Sequence, residues 1–369
     1  MVPPYLGDKS QGAALFKSQL SVLPLALAGA VKDAARAWAI APLRHTHSLF
    51  DVKAGGGWKI RSRRGFSGRE IFRLKRQFCK LVFMRSLRIR LAKQIVVPRD
   101  PTEGLLTNFL HVIEVVHRVR PDAVIGIDWT LNGKEVGFKY GAVGDNVWTK
   151  LFRSVGQDPP ATAYRADASI DLALWGTGKD YLTGARLRAH RRAYHKTLSN
   201  WIKISNPAVL ERVRHIREES FKGRFCLGVH RRVGNVMVAN LQSDGAVPSL
   251  DSLIEHCRSI LQSESRESVI FLATDDSEAV DAFASAFAGR LIVQEGVQRT
   301  TADKAEVHFQ GWNKLSLSDA EDVLTDTLLL SHCHVLLHGS SAISTVASLL
   351  NPQLELVRVF GRAPAKNTA

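Results

Sequence analysis

Between Arg224 and Phe360 the chain alternates strictly between short apolar runs and stretches of helical period. The apolar runs are RFCLGVH (224–230), SVIFLATDD (268–276), RLIVQ (290–294), HVLLHG (334–339) and LELVRVF (354–360). SLDSLIEHCRSILQ (249–262), SEAVDAFASAFA (277–288), SDAEDVLTDTLLLSHC (318–333) and SSAISTVASLL (340–350) fall between them. Continuous apolar runs without polar alternation suit strands buried on both faces. Intervening helices force a parallel, doubly wound sheet, because parallel strands need long crossovers. Ser318 with Glu321 three positions later predicts a capping box at the start of the 318–333 helix.

A second unit of the same kind stands earlier. KQIVVP (93–98) reads as a strand, Arg99–Gly104 as a turn, and LLTNFLHVIEVVHRV as a helix stopped by Pro121. AVIGIDW (123–129) is the next strand. A strand–helix–strand of this length closes by a right-handed crossover. The expectation is an α/β chain of two Rossmann-like lobes. Residues 1–92 form a basic, partly helical extension with a hinge at Gly55-Gly56-Gly57. Residues 93–221 form an N-terminal α/β lobe, and residues 222–369 a C-terminal Rossmann-like lobe. From Leu131 to Asn200 the pattern blurs, and residues 185–217 read as a very basic, partly helical linker.

The length of 369 residues and a hydrophobic content of 45% suffice for two cores. The net charge of +15 is concentrated between Lys59 and Lys93, with thirteen Lys or Arg against Glu70 alone. There Ile71, Leu74, Phe78, Leu81 and Val82 recur at helical spacing among the cations. The segment reads either as a helix lying on an anionic membrane or as a packed helix with solvated charges. Nucleic acid is disfavoured as a partner, because Trp58, Phe66, Phe72, Phe78 and Phe83 fall at helix-core spacing, not as a stacking platform. The apolar stretch Leu20–Val31 is too short to span a bilayer. The start MVPPYLGDKS lacks the basic beginning of a signal peptide. Cys79, Cys226, Cys257 and Cys333 show no zinc-ligand spacing and read as buried thiols. These features predict a cytoplasmic protein, with peripheral contact at the inner membrane surface as the alternative to packing of the basic segment.

In open parallel sheets ligands bind beyond the carboxyl ends of the strands. Three strand ends carry unusual polar groups. His230-Arg231-Arg232-Val233-Gly234-Asn235 offers guanidinium forks and a close-approach glycine to a diphosphate. His230 and Arg232 share one strand face, and Arg231 takes the other. Thr274-Asp275-Asp276 reads equally as a helix cap or a ligand contact. Gly339-Ser340-Ser341 reads equally as a cap or an anion site. Asp322 and Asp326 are a helix stripe, from which Asp326 could accept from a ribose or a base. The P-loop, dinucleotide, nucleophile-elbow and zinc-protease motifs are missing. So is D-x-D, and the charge of Arg232 could take the place of a metal.

In their order and spacing GVHRRVGN (228–235), VIFLATDD (269–276) and DAEDVLTDTLLLSHCHVLLHGSSAIS (319–344) resemble the α-1,6-fucosyltransferase group, nearest its rhizobial nodulation branch. The H-x-R-x-G-N core is His230, Arg232, Gly234 and Asn235. The turn at Gly104 and the strand ending at Trp129 are similar to that family's first unit. The resemblance covers residues 93–360. It implies a GT-B-like glycosyltransferase fold, a GDP-fucose donor, a glycan or chitooligosaccharide-like acceptor, inversion, and no metal or other cofactor. Arg232 would hold the β-phosphate, His230 and Asp326 would face the guanosine, and Ser340 and Ser341 would contact phosphate. Animal members carry a Lys and a carboxylate where Val236 and Asn240 fall here, which leaves Asp244 as the candidate base. A non-catalytic glycan-binding relative, or the same fold using another nucleotide sugar, are the alternatives.

Overall fold

The structure is a computed structural model. It describes residues 50–52, 58–60, 83–84, 86–100, 103–119, 122–131, 140–154, 163–166, 184–232, 248–300, 315–339 and 341–359. The chain forms two compact units. One comprises residues 1–95, 118–124 and 159–164; the other comprises residues 96–117, 125–158 and 165–369. In the first, β1 (Phe50–Val52) and β2 (Trp58–Ile60) pair antiparallel, and residues 86–91, at the end of the basic segment expected to be partly helical, are helical. Ile71, Leu74, Phe78, Leu81, Val82 and the Gly55–Gly57 hinge lie outside the described residues.

The earlier strand–helix–strand unit is β3 (Gln94–Pro98), α1 (Leu105–Arg118) and β4 (Val124–Asp128). With β6 (Tyr164–Arg165), β3 and β4 make a three-stranded sheet of order β4-β3-β6. The blurred region resolves into short pieces: α2 (Val147–Leu151), β5 (Phe152–Ser154), α3 (Gly184–Trp201) and β7 (Ile202–Ile204), with β5 antiparallel to β7. Most are too brief to show a period, and aromatic packing holds them. Phe109 of α1 stacks on Phe152 at 4.8 Å, and Trp129 meets Trp148 edge-on at 5.0 Å. α4 (Pro207–Ile216), capped by Asn206, runs into one π-helical turn, Arg217–Phe221.

The C-terminal alternation appears element for element. β8 (Phe225–Arg231), α5 (Leu250–Ser263), β9 (Ser268–Thr274), α6 (Ser277–Ala286) and β10 (Leu291–Ile292) follow one another. Then come α7 (Leu317–Ser331), β11 (Val335–His338), α8 (Ala342–Leu350) and β12 (Glu355–Arg358). The five strands are parallel, in the order β10-β9-β8-β11-β12. The chain therefore starts at the middle strand, winds to one edge, returns, and winds to the other. The reversal leaves a crevice beyond the carboxyl ends of β8 and β11. Phe225, Leu227 and Val229 of β8 join Ile270, Leu272, Val335 and Leu337 in a core with Leu253 and Cys257 of α5 and Phe283 of α6. On the opposite face Gly228 lets the end of α7 approach: a Cβ there would meet Cys333 Sγ at 3.0 Å and Leu330 Cδ2 at 3.1 Å.

One local expectation is corrected. The box at the start of α7 is Ser316–Asp319, not Ser318–Glu321. The Asp319 carboxylate accepts the Ser316 N–H at 2.6 Å and its hydroxyl at 2.8 Å. Two overlapping Ser-x-x-acid patterns stand in the sequence. Glu321 is drawn off instead by Asn206 (2.7 Å) and Arg212 (3.5 Å). Cys226, Cys257 and Cys333 are buried free thiols. Among the described residues no helix is long and apolar enough to cross a membrane.

Candidate functional site

The end of β8 delivers three polar side chains to three different environments. His230 is 4% exposed, with Nδ1 3.2 Å from the Ser341 hydroxyl. That hydroxyl also accepts the Ser344 N–H at 3.1 Å and so caps α8. In the next strand His338 lies opposite His230 in register, its Nδ1–H donating to the Gly339 carbonyl at 2.5 Å. Burial, then the nearby Arg232 and His338, push the His230 pKa down to about 3, so its ring is neutral.

The two arginines take different partners. Arg231 forms an ion pair with the fully buried Asp276 and points Nε at the Pro248 carbonyl, 3.5 Å away. Asp276 also caps α6 through the Glu278 N–H at 3.0 Å. Its position is that of a helix cap bound to a cation. Arg232 instead keeps 35% of its side chain exposed and has Asp275 across the cleft at 4.0 Å. Its fork is the group that a ligand at the crevice could reach.

α7 supplies the facing wall. Asp319, Asp322 and Asp326 lie on one side of it and line the cleft together with His230, Arg232 and Asp275. Asp322 accepts from Arg212 at 2.6 Å. Asp326 differs: it is half-buried as a residue, but its Oδ1 is shut off from solvent without a hydrogen-bond partner. Burial, helped by Asp322, pushes its pKa up to about 8 against the opposing charges of Arg299 and Arg212. Behind it the buried Gln294 donates to the Asp322 carbonyl at 3.3 Å, and Arg299 donates to the Gln294 carbonyl at 2.7 Å. An orphaned buried acceptor beside an open cleft is a place for a ligand N–H or O–H.

The segment after β3 also reaches the arginine. Tyr140 is buried and is bonded by the Leu105 amide, and the charges of Arg232 and Arg99 act on its phenol, which burial pushes up to about 12. Two residues before Leu105 stands Glu103, half-buried, its carboxyl raised to about 7 by burial and by Asp100. Asn108 fixes this turn, accepting from the Asp100 N–H at 2.7 Å and donating to the carbonyls of Asp100 and Glu103 at 2.9 Å.

The structure thus brings His230, Arg232, Asp275, Asp326 and Ser341 to one crevice, with Asp276 held beneath it. Gly234, Asn235, Asp244 and Ser340 lie outside the described residues. Glu103, Tyr140, His338 and Arg212 were not singled out from sequence. Two of them had a signal: Glu103 follows a strand end, and HVLLHG repeats the histidine-terminated strand of GVH. A larger cavity of about 380 Å³ opens at the amino ends of β8, β11 and β12, among Phe225, Ile260 and Val357. That is the wrong end of a parallel sheet for the chemistry described.

No known protein family matches the chain, and no curated protein does. Among solved structures it is similar to fucosyltransferase NodZ from Bradyrhizobium, with 17% identity over 71% of this chain and 93% of that one, at a TM-score of 0.44. POFUT1 in complex with GDP-fucose has 11% identity over 73% and 98%, with a TM-score of 0.39. A variant of Arabidopsis thaliana FUT1 in complex with GDP has 10% identity over 92% and 78%, with a TM-score of 0.36.

Proposed function

We propose that this chain is a GT-B-like glycosyltransferase whose cleft binds GDP-fucose. It passes the fucose to a glycan or chitooligosaccharide-like acceptor, with inversion and without a metal. One observation carries the reading: a half-exposed arginine fork and a neutral histidine line, at the reversal point of a parallel sheet, the same cleft as an aspartate whose Oδ1 is buried without a hydrogen-bond partner. Arg232 offsets charge developing on the departing diphosphate, the role a divalent ion takes elsewhere. Ser341 and the start of α8 add donors, and the resemblance adds Ser340 to the phosphate contacts. Asp326 accepts N–H groups of the base, and His230 lies against the nucleoside. The H-x-R-x-G-N core assigns Gly234 and Asn235 to the donor as well.

In the transfer the acceptor oxygen bonds to the anomeric carbon as the bond from that carbon to the phosphate oxygen breaks. GDP leaves with the electron pair, and the acceptor proton passes to a general base. Glu103 is suited to that task, since a carboxyl titrating near neutrality is a matched base. Asp244 is the other candidate. The activity is placed in the cytoplasm, with residues 59–93 resting on the inner membrane surface.

The experiment is GDP release from GDP-fucose over a panel of acceptors including chitin oligosaccharides, beside GDP-mannose and UDP-GlcNAc. Turnover is expected with GDP-fucose, and it should survive EDTA. Loss on chelation that Mg²⁺ or Mn²⁺ restores overturns the metal-free reading. GDP binding without turnover on any acceptor favours a non-catalytic relative.

A further inference from the structure

Within the very basic linker, the stretch before Ile202 supplies no side chain to the cleft described above. Its helix α3 holds Arg186, Arg188, Arg191, Arg192 and Lys196, and no acidic residue in 18 positions. One face of it is committed. Buried Arg191 donates to the carbonyls of Ser348 (3.1 Å), Asn351 (2.8 Å) and Leu354 (2.8 Å) at the end of α8. The His195 Nδ1–H donates to Leu349 at 2.9 Å, and Tyr194 and Leu198 are buried on the same side.

The outward face is different. Arg188, Arg192 and Lys196 are exposed at successive i, i+4 positions, a stripe about 12 Å long. Exposed Ala189 and Ala193 lie between them. Directly after α3, exposed Lys203 of β7 stands in register opposite exposed Arg153 of β5. None of these five cations has a hydrogen bond or ion pair among the described residues. Several other arginines near the surface do have partners: exposed Arg214 pairs with Glu211 and Glu218, half-buried Arg224 with Glu267, and exposed Arg266 with Glu264. Like charges at i, i+4 destabilise a helix, and nothing described in the chain neutralises these.

We infer that the outer face of α3, with Lys203 and Arg153, is an electrostatic docking surface for the anionic headgroups of a lipid bilayer. Charge complementarity selects a polyanion. Alanines between the cations give a low surface that lets several side chains reach one plane of headgroups together. The same alanines argue against single-stranded nucleic acid, which needs exposed aromatic rings; Tyr194 of this helix is buried. The inference is independent of the donor-cleft reading.

The test is flotation of the full chain with vesicles containing phosphatidylglycerol and with vesicles of phosphatidylcholine alone. Binding is expected only to the anionic vesicles, and 0.5 M salt should abolish it. The triple variant Arg188→Gln, Arg192→Gln, Lys196→Gln should lose about a hundredfold in binding, at about fivefold per residue. Its thermal melting should match that of the unaltered chain. Arg214→Gln should bind normally. If the triple variant melts early, the charge-preserving set Arg188→Lys, Arg192→Lys, Lys196→Arg decides instead, and must keep full binding. The inference is overturned if the unaltered chain does not bind, if the triple variant binds equally well, or if duplex DNA binds more tightly than the vesicles and displaces them.

Discussion

Arg232→Ala should remove transfer by 10²- to 10³-fold, about 3–4 kcal/mol of lost transition-state stabilisation. Arg232→Lys should recover little, since a point charge replaces a fork. Arg231→Ala should act on another quantity. It leaves Asp276 buried without its cation, at a cost of about 3–5 kcal/mol, so melting temperature should fall while surviving folded enzyme still turns over. An inactive but stable Arg231→Ala would reverse these assignments. Asp326 carries a pH signature. Burial pushes its carboxyl up to about 8 from the ordinary 3.8, so the folded chain holds the extra proton between those values. Stability of the unliganded chain should therefore fall as pH rises from about 4 to about 8, while donor binding that needs the anion improves. Asp326→Asn should flatten that slope, raise stability at pH 8 by roughly 1–3 kcal/mol, and weaken GDP binding. Glu103→Gln should lower kcat by 10²- to 10⁴-fold, erase the acidic limb near pH 7, and leave GDP affinity unchanged.

At the scale of elements, the packing of α7 on the sheet rests on a missing side chain. Gly228→Ala places a Cβ 3.0 Å from Cys333 Sγ and 3.1 Å from Leu330. It should cost about 1–3 kcal/mol in denaturant unfolding. Adding Cys333→Ala should return part of that, and no recovery would deny the contact. What the sequence announces and what it hides divide along the same physical line. β8, β9 and β11 are legible because apolar runs between amphipathic helices have few other solutions, and strand ends then say where to look. Thus His230, Arg232 and Ser341 could be named in advance. Tyr140 and Glu103 could not be tied to Arg232, because about a hundred residues separate them and only tertiary folding brings Tyr140 near it. Arg212 meets Asp322 across a similar gap. The start of α7 was misplaced by two residues because two equivalent cap patterns overlap, and Asn206, remote in sequence, takes Glu321 from one of them.

Across the whole molecule, the proposed boundary at residue 222 runs through a set of polar joints. Arg212 reaches Glu321 and Asp322 of α7, and Arg191 and His195 of α3 satisfy four carbonyls at the end of α8. A fragment of residues 222–369 should consequently melt earlier than one of residues 184–369, or fail to remain soluble; equal melting would count against these joints. Arg191 also bears on how the chain is made. It leaves the ribosome more than 150 residues before the carbonyls it will serve, so while those residues are made that guanidinium is hydrated and waiting. The helix capped by Ser341 emerges long after α3, and its far end can be finished only when a residue made long before turns inward. A nascent chain arrested just short of Leu354 should hold a frayed α8, and extension past Leu354 should close the clamp in one step.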